Sequence, residues 1–286
     1  MTLASLPPRP PSAARVALLG DVVGKTGREV ALAAVRPLRD AGAELLVANG
    51  ENASGGTGIA AKEVRELLGG GFDVLTTGNH VWKHKDVLKM LDDEPRLLRP
   101  LNYPPGTPGR GHGSFPLPGG GSLLVACLLG RTFLEPLDCP FRAADALLAG
   151  LGLGEPAWPP PSGAPAGGAP RTPSLVDFHA EATAEKLAMR FHLDGRVSAL
   201  VGTHTHVQTS DAEVTALGTA YLTDAGCCSA WPSVIGFEPQ SVVARFRTVR
   251  PHRYLPAEGP GRVEGVVFDV EREGGRCLAV HAIRVA

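Results

Sequence analysis

The segment "RVALLGD" (residues 15–21) combines an apolar run of strand length with a glycine and a carboxylate at its end. Short apolar runs bounded by such residues are typical of buried strands. A segment with helical periodicity follows over about residues 27–41, although Pro37 is expected to kink or shorten that helix. This succession predicts the first strand–helix unit of an α/β fold.

Strand and helix signals continue to alternate after this first unit. The runs "ELLVANGEN" and "FDVLTTGNH" predict two further strands, and "AKEVRELLGG" and about residues 85–91 predict the helices that follow them. "SLLVACLLG" continues the β-rich pattern, and "SLVDFHAE" and "VSALVGTHTH" are apolar runs with polar ends on either side of a helix at about residues 181–191. The pattern predicts strand–helix–strand units around a largely buried sheet.

The last third of the chain has a different pattern. "SVVARFRTV", "VEGVVFDVE" and "CLAVHAIRVA" alternate in the manner of antiparallel strands, and "EREGGR" has the composition of a hairpin turn. Together with the first part of the chain, these segments predict an α/β sandwich with two sheets and outer helices.

Length and composition limit the domain organisation. The 286 residues, 43% of them hydrophobic, suffice for one large domain or two small ones. Residues 1–14 are predicted to be a disordered, proline-rich tail, and residues 15–286 a single domain. The proline- and glycine-rich stretch at about residues 151–173 cannot bury a core and is predicted to be an exposed insertion.

Charge and cysteine content narrow the class of protein. The 28 Lys and Arg residues nearly balance 29 Asp and Glu residues, so an anionic substrate must be attracted locally. The five cysteines form no CxxC pair, which suits a reducing cytoplasm. No apolar run approaches the length of a membrane span, so no membrane partner is expected.

Residues that can bind metal ions recur where the predicted strands end. Ligands of open α/β sheets lie beyond the carboxyl ends of the strands, so one pocket can collect all of these side chains. Singly, Asp21 also fits a turn or helix cap, and His179 fits a core histidine with a backbone hydrogen bond. Their recurrence from strand to strand favours a shared site. The residues concerned are Asp21, Glu51, Asn52, Asn79, His80, His179, His204 and His206.

The spacing of His204 and His206 favours two ions rather than one. On an extended chain, residues i and i+2 lie about 6.6 Å apart, and ions about 3.5–4 Å apart can take one histidine each. A strand edge with two solvated histidines is the alternative. Three imidazoles combined with oxygen ligands favour Mn, Fe, Zn or Co over Mg or Ca. Two divalent ions bring four positive charges, and Asp21, Glu51 and a hydroxide bring about three negative ones. The site then has a net charge of about +1, which attracts a phosphodiester.

Five ordered motifs resemble one known family. "GDVVGKTGR", "ANGENASGGTGI", "TTGNHVW", "VDFHAEATAEK" and "GTHTHVQTSD" closely resemble the YmdB-like branch of the calcineurin-like metallophosphoesterases. The resemblance covers the chain from about Arg15 onward, apart from the insertion. It implies the metallophosphoesterase fold, a four-layer αββα sandwich of two mixed β-sheets flanked by helices. It also implies a dinuclear metal centre and phosphodiesterase activity towards 2′,3′-cyclic nucleotides.

The resemblance also divides the predicted ligands between two metals. It implies that Asp21, Glu51 and His206 bind the first metal and that Glu51 bridges to the second. Asn52 is implied to lie in or near the first coordination shell, and His80 to contact the phosphate or the leaving group. The second metal is implied to be held by Asn79, His179 and His204.

Two positions depart from the pattern of the family. The superfamily usually begins with Asp-x-His, but Val23 occupies the third position here, and Asn52 is expected to compensate in part. Cys227, Cys228 and Trp231 replace an expected methionine, threonine and glycine–proline run, so the loop near the substrate is expected to differ. The adjacent cysteines are predicted to be small buried hydrophobes, with soft-metal ligation as the alternative.

The resulting prediction is a phosphodiesterase that uses a metal-bridging hydroxide and two divalent ions, Fe or Mn being favoured over Zn or Co. A phosphomonoesterase or nucleotide phosphatase with the same centre is one alternative, and a regulatory, metal-dependent nucleotide-binding protein is another. The expected partner is a small cyclic nucleotide or other phosphodiester, with RNA ends as a further candidate. A second copy of the chain, in a homo-oligomer, is another candidate partner.

Overall fold

Two mixed sheets and six helices make up the part of the chain that the computed structural model describes, residues 5–152 and 171–285. The strands are β1 (Ala13–Leu19), β2 (Asp21–Val22), β3 (Ala43–Asn49), β4 (Val74–Thr76), β5 (Leu97–Leu98), β6 (His112–Pro116), β7 (Ser122–Leu129), β8 (Ser174–His179), β9 (Ala199–Thr203), β10 (Glu213–Val214), β11 (Ala220–Leu222), β12 (Cys227–Ala230), β13 (Gly261–Glu271) and β14 (Cys277–Val285). The helices are α1 (Gly24–Asp40), α2 (Ala61–Gly69), α3 (Val87–Asp93), α4 (Pro140–Gly150), α5 (Thr183–Leu193) and α6 (Pro239–Thr248).

Each sheet combines parallel and antiparallel pairs. The first has the order β2-β12-β13-β1-β3-β4-β5, with β14 paired to β13, and the second has the order β10-β11-β9-β8-β7-β6. In the first sheet β1 is parallel to β3 and antiparallel to β13. In the second sheet β7, β8 and β9 are parallel, whereas β6 pairs antiparallel with β7. The predicted mixed character of both sheets is therefore confirmed.

Three apolar layers separate the helices and sheets. Alternate residues of a strand face opposite sides of its sheet, so Leu19 of β1 packs with Leu38 of α1, whereas Leu18 packs towards the second sheet with Leu175 of β8. On the far side of the second sheet, Phe178 of β8 packs with buried residues of α4 and α5. This succession is the predicted αββα sandwich, with the core between the sheets and one further core under each helical layer.

The N-terminal boundary differs from the prediction by two residues. β1 begins at Ala13, within the predicted tail of residues 1–14, because Ala13 and Ala14 are buried and pair with β13. Ahead of them, Leu6 packs against the core and Arg9 forms an ion pair with Glu44 at 2.9 Å. Residues 1–4, and residues 153–170 of the predicted insertion, lie outside the described residues.

The prediction of a strand over "SVVARFRTV" is wrong, because this segment forms most of α6. Pro239 occupies the start of the helix, where its fixed φ suits the first turn. Arg245 and Arg247 lie in the last turn, where cations interact favourably with the helix dipole. The alternation of apolar and polar residues suggested a strand with one buried face. In the helix, Val242 is the only buried residue of α6.

Pro37 does not end α1. The helix continues to Asp40, and Leu38, just beyond the proline, is fully buried and anchors this last turn in the core. The predicted hairpin at "EREGGR" is confirmed, because β13 and β14 pair antiparallel on either side of it. None of the described helices has the length and apolar character needed to cross a membrane.

The adjacent cysteines are buried in β12, as predicted for small hydrophobes. Cys228 belongs to the core between the first sheet and its helices, and burial raises the pKa of Cys227 to about 12. Both thiols are free and stay protonated at neutral pH.

Candidate metal centre

The polar residues predicted from the strand ends lie together at one edge of both sheets. Asp21 begins β2, Glu51 and Asn52 follow β3, Asn79 and His80 follow β4, His179 ends β8, and His204 and His206 follow β9. Close contacts join the side chains contributed by the first sheet to those contributed by the second. The pairing of strands within each sheet therefore brings the predicted ligands into one cluster.

Two groups of contacts can be distinguished within this cluster. In the first, His206 Nε2 lies 3.2 Å from Asn52 Oδ1 and 3.6 Å from Asp21 Oδ1. In the second, His179 Nε2 lies 3.2 Å from Asn79 Oδ1 and 3.0 Å from His204 Nδ1.

Glu51 lies beside the second group and is held by the loop after β4. Its Oε1 lies 3.9 Å from His179 Nε2. The backbone N–H of Gly78 donates to Glu51 Oε2 at 2.5 Å, and the N–H of His80 donates to Oε1. A side-chain carbon at Gly78 would lie 2.2 Å from the ring of His179, so only glycine allows this close approach. The "TTGNH" loop thus holds Glu51 in place and packs closely against His179.

The chain turns sharply at the two histidines. β9 ends at Thr203, and His204 and His206 have φ values of 96° and 62°, in the left-handed region that non-glycine residues rarely adopt. The extended spacing assumed from the sequence is therefore wrong for this segment. Between them, Thr205 donates to Asp224 through its N–H at 3.1 Å and its hydroxyl at 2.8 Å. The turn directs the two imidazoles to different neighbours.

Hydrogen bonds indicate which ring nitrogens carry a proton. His206 Nδ1 donates to the carbonyl of Ile235 at 2.9 Å, which directs Nε2 towards Asn52 and Asp21. The Thr203 hydroxyl donates to Asp177 at 2.7 Å and so accepts from His179 Nδ1 at 2.9 Å. His204 Nε2 lies 3.0 Å from the carboxylate of Glu181. His179 Nε2 and His204 Nδ1 then face each other as two acceptors, a contact that a cation would relieve.

Two buried carboxylates outside the predicted set support the cluster. Asp177 accepts hydrogen bonds from Asn49 at 2.9 Å, from Thr76 at 2.5 Å and from Thr203. These three residues are the last of three different strands, β3, β4 and β9. Burial raises the pKa of Asp177 to about 6. Asp177 stands two residues before His179 in "VDFH" and therefore lies on the same face of β8 as this predicted ligand, a signal that the sequence contained.

Asp224 is the second supporting carboxylate. Besides Thr205, it binds the ammonium group of Lys186 at 2.7 Å in a buried ion pair, and it accepts from the N–H of Gly226. Lys186 lies on α5 and is distant from Asp224 in sequence, so only the fold brings the two together.

Burial and neighbouring charges shift the pKa values of the cluster in different directions. Burial lowers the pKa of both His179 and His204, which keeps these rings neutral, the form that binds metals. Burial raises the pKa of Glu51, and the charge of Asp21 adds to this effect. For Asp21 burial acts in the same direction, but the charge of His206 outweighs it and lowers the pKa.

The donor set fits a transition metal. Asp21 Oδ1 is buried and has no hydrogen-bond partner, so this carboxylate oxygen is free to bind a cation. Imidazole nitrogens with carboxylate and amide oxygens suit Mn, Fe, Zn or Co. Over the described ranges, no group of three or more His, Cys, Asp or Glu side chains has the geometry to hold an ion as it stands. The two-metal arrangement therefore remains a prediction.

Comparison with known proteins gives the family. The family described as YmdB-like protein matches residues 17–283. The chain belongs to the YmdB-like family. It is 40% identical over 273 residues to the 2′,3′-cyclic-nucleotide 2′-phosphodiesterase of Bacillus subtilis (strain 168), covering 95% of this chain and 97% of that protein. The resemblance inferred from the five motifs is thus confirmed.

Solved structures share the fold of this YmdB-like protein. A hypothetical protein from Thermus thermophilus is 40% identical, with a TM-score of 0.82, and the match covers 95% of this chain and 98% of that one. A novel phosphatase from Mycoplasma pneumoniae is 29% identical, with a TM-score of 0.83, and the match covers 96% of this chain and 93% of that one. Both matches extend over nearly the whole YmdB-like chain.

A cavity of about 460 Å³ opens over the cluster of this YmdB-like protein. Glu51, Asn52, His80, His204 and His206 line it, so predicted ligands of both groups face the same space. This volume is within the range of small-molecule sites, about 300–1,000 Å³. Val23, where the superfamily usually has histidine, is buried, and its backbone pairs with that of Asn52 beside the cavity.

Proposed function

We propose that this YmdB-like protein is a metal-dependent phosphodiesterase that hydrolyses 2′,3′-cyclic nucleotides. The observation that carries the proposal is the cluster of nitrogen and oxygen donors from both sheets, in which Asp21 Oδ1 is buried without a partner beside a cavity. The name of the Bacillus subtilis relative supports this choice of substrate. The five free cysteines suit the reducing cytoplasm, which we propose as its compartment.

The two groups of contacts suggest which residues bind each ion. Asp21, Asn52 and His206 would hold the first metal, and Asn79, His179 and His204 the second, with Glu51 shared between them. When bound, two divalent ions, Fe or Mn before Zn or Co, supply Lewis acidity towards phosphoryl oxygens and acidify a water molecule.

The other residues of the cavity position the substrate and its protons. His80 is half-buried and lines the cavity, where its imidazole is placed to contact the phosphoryl group or the leaving oxygen. In the overall reaction one water adds to the cyclic phosphate. The water oxygen forms a new P–O bond, the P–O bond to the ribose 2′ oxygen breaks, and that oxygen takes a proton. The product is a nucleoside 3′-monophosphate.

Phosphomonoester hydrolysis is a second candidate, because the similar Mycoplasma pneumoniae structure is named a phosphatase. Turnover of 2′,3′-cyclic AMP, bis-p-nitrophenyl phosphate and p-nitrophenyl phosphate, measured with added Mn²⁺ or Fe²⁺, separates the two. We expect both diesters to exceed the monoester in kcat/KM by at least about tenfold. Preference for the monoester would favour the phosphatase, and nucleotide binding without any turnover would favour a regulatory binder. The Asp21→Asn variant is the inactive control.

A further inference from the structure

A second cavity, of about 690 Å³, adjoins the one over the predicted metal ligands. Thr57, Phe237 and Tyr254 line both cavities, so the two are compartments of one cleft. The smaller cavity, of about 460 Å³, is by itself within the range of small-molecule sites, about 300–1,000 Å³. The cleft therefore has room for a substrate that extends beyond the nucleotide being hydrolysed.

The second compartment is basic. Lys83, Arg245 and Arg253 line it, together with His84 and His252, and Glu63 contributes a carboxylate that accepts a hydrogen bond from Ser54 at 2.9 Å. The stretch "RFRTVRPHR" (residues 245–253) contains four arginines and no acidic residue, in a chain with a net charge of −1. Positive charge is thus concentrated beside the cavity that faces the predicted ligands, which favours an additional anionic group on the substrate.

Aromatic side chains stand at the boundary between the compartments. The ring centroids of Phe237 and Tyr254 lie 5.5 Å apart, and the guanidinium carbon of Arg245 lies 5.3 Å from the Tyr254 centroid. Gly56 packs so closely on Phe237 that a side-chain carbon there would lie 2.6 Å from the ring. Aromatic faces next to cationic side chains are the combination that binds single-stranded nucleic acids, by base stacking and phosphate contacts.

The geometry points to an RNA strand with a 2′,3′-cyclic phosphate at its 3′ end as the substrate, with its preceding phosphate and base in the basic compartment. This inference rests on the proposed function. A 2′,3′-cyclic phosphate forms when a ribose 2′-hydroxyl attacks the adjacent phosphodiester, so the reaction that supplies the substrate is RNA cleavage by transesterification. Hydrolysis then adds one water, breaks the P–O2′ bond, protonates the 2′ oxygen and leaves a 3′-phosphate on the strand.

The test compares a hexaribonucleotide ending in 2′,3′-cyclic phosphate with 2′,3′-cyclic AMP. We expect kcat/KM to be at least about tenfold higher for the hexanucleotide, since stacking and phosphate contacts add to binding. In the Arg245→Gln/Arg253→Gln variant the ratio of the two kcat/KM values should fall at least about fivefold. Arg247→Gln, on the same helix but outside the lining of the compartment, should keep the ratio within about twofold and is the matched control.

A binding measurement separates this inference from the proposed function. Fluorescence anisotropy of a labelled hexaribonucleotide with a 3′-phosphate should show weaker binding to the double variant than to Arg247→Gln, and binding that weakens with added salt. Equal kcat/KM for the two substrates, or an unchanged ratio in the double variant, would overturn the inference while 2′,3′-cyclic AMP turnover still supports the proposed function. If neither substrate is hydrolysed, the proposed function fails. Separately, RNA binding that does not depend on Arg245 and Arg253 would overturn the inference.

Discussion

His204 and His206 contact different groups although a single residue separates them. His204 Nδ1 faces His179, and His206 Nε2 faces Asp21 and Asn52. Positive φ at both histidines turns the backbone, and the contacts of Thr205 with Asp224 hold that turn. Such uncommon backbone conformations persist where the surrounding contacts fix them, as they do here.

Substitution of His80 tests its predicted role next to the ligands. His80→Ala should lower kcat by about 10²–10⁴-fold, the range expected when a group that assists proton transfer or holds the phosphoryl group is lost. The metal content, measured by elemental analysis of the same preparation, should stay near that of the wild type. Loss of metal together with activity would show that His80 is a ligand, contrary to its assignment.

The buried ion pair of Lys186 and Asp224 joins α5 to the turn after β9. Lys186→Met should lower the free energy of unfolding by about 3–5 kcal/mol, because it leaves Asp224 buried without its counter-ion. Urea denaturation measures this change. Arg36→Met is the matched control, since Arg36 pairs with Asp40 at 3.7 Å on the exposed face of α1 and contributes little. Equal midpoints for the two variants would contradict the structural role of the buried pair.

The elements differ in how far the sequence predicts them. β1, β8 and β9 followed from apolar runs, because strands buried on both faces are continuously hydrophobic. α6 could not be predicted in this way, because its residues alternate like those of a strand. Its helical state depends on its start at Pro239 and on tertiary packing. The predicted ligands were recognisable as strand ends. The role of Lys186 could not be recognised from the sequence, because its partner Asp224 lies on another element and only the fold brings the two together.

The predicted ligands come from both sheets, so bound metal should stabilise the whole sandwich. Removal of metal with EDTA should lower Tm by about 5–10 °C, the loss expected when an ion present at about 100 times its Kd is withdrawn. Added Mn²⁺ should restore the original value, as followed by circular dichroism. The Asp21→Asn variant should respond less to both treatments. An EDTA-treated protein with the Tm of the untreated one would contradict this prediction.

Metal stoichiometry of chelator-free protein, measured together with turnover of 2′,3′-cyclic AMP by the same sample, shows whether the cluster is a dinuclear catalytic centre. We expect about two transition-metal ions per wild-type chain. His204→Ala and His206→Ala should each lose about one ion and most of the turnover, since each imidazole belongs to a different group of predicted ligands. A wild-type protein that hydrolyses the substrate with fewer than two ions, and gains nothing from added Mn²⁺ or Fe²⁺, would contradict the dinuclear assignment.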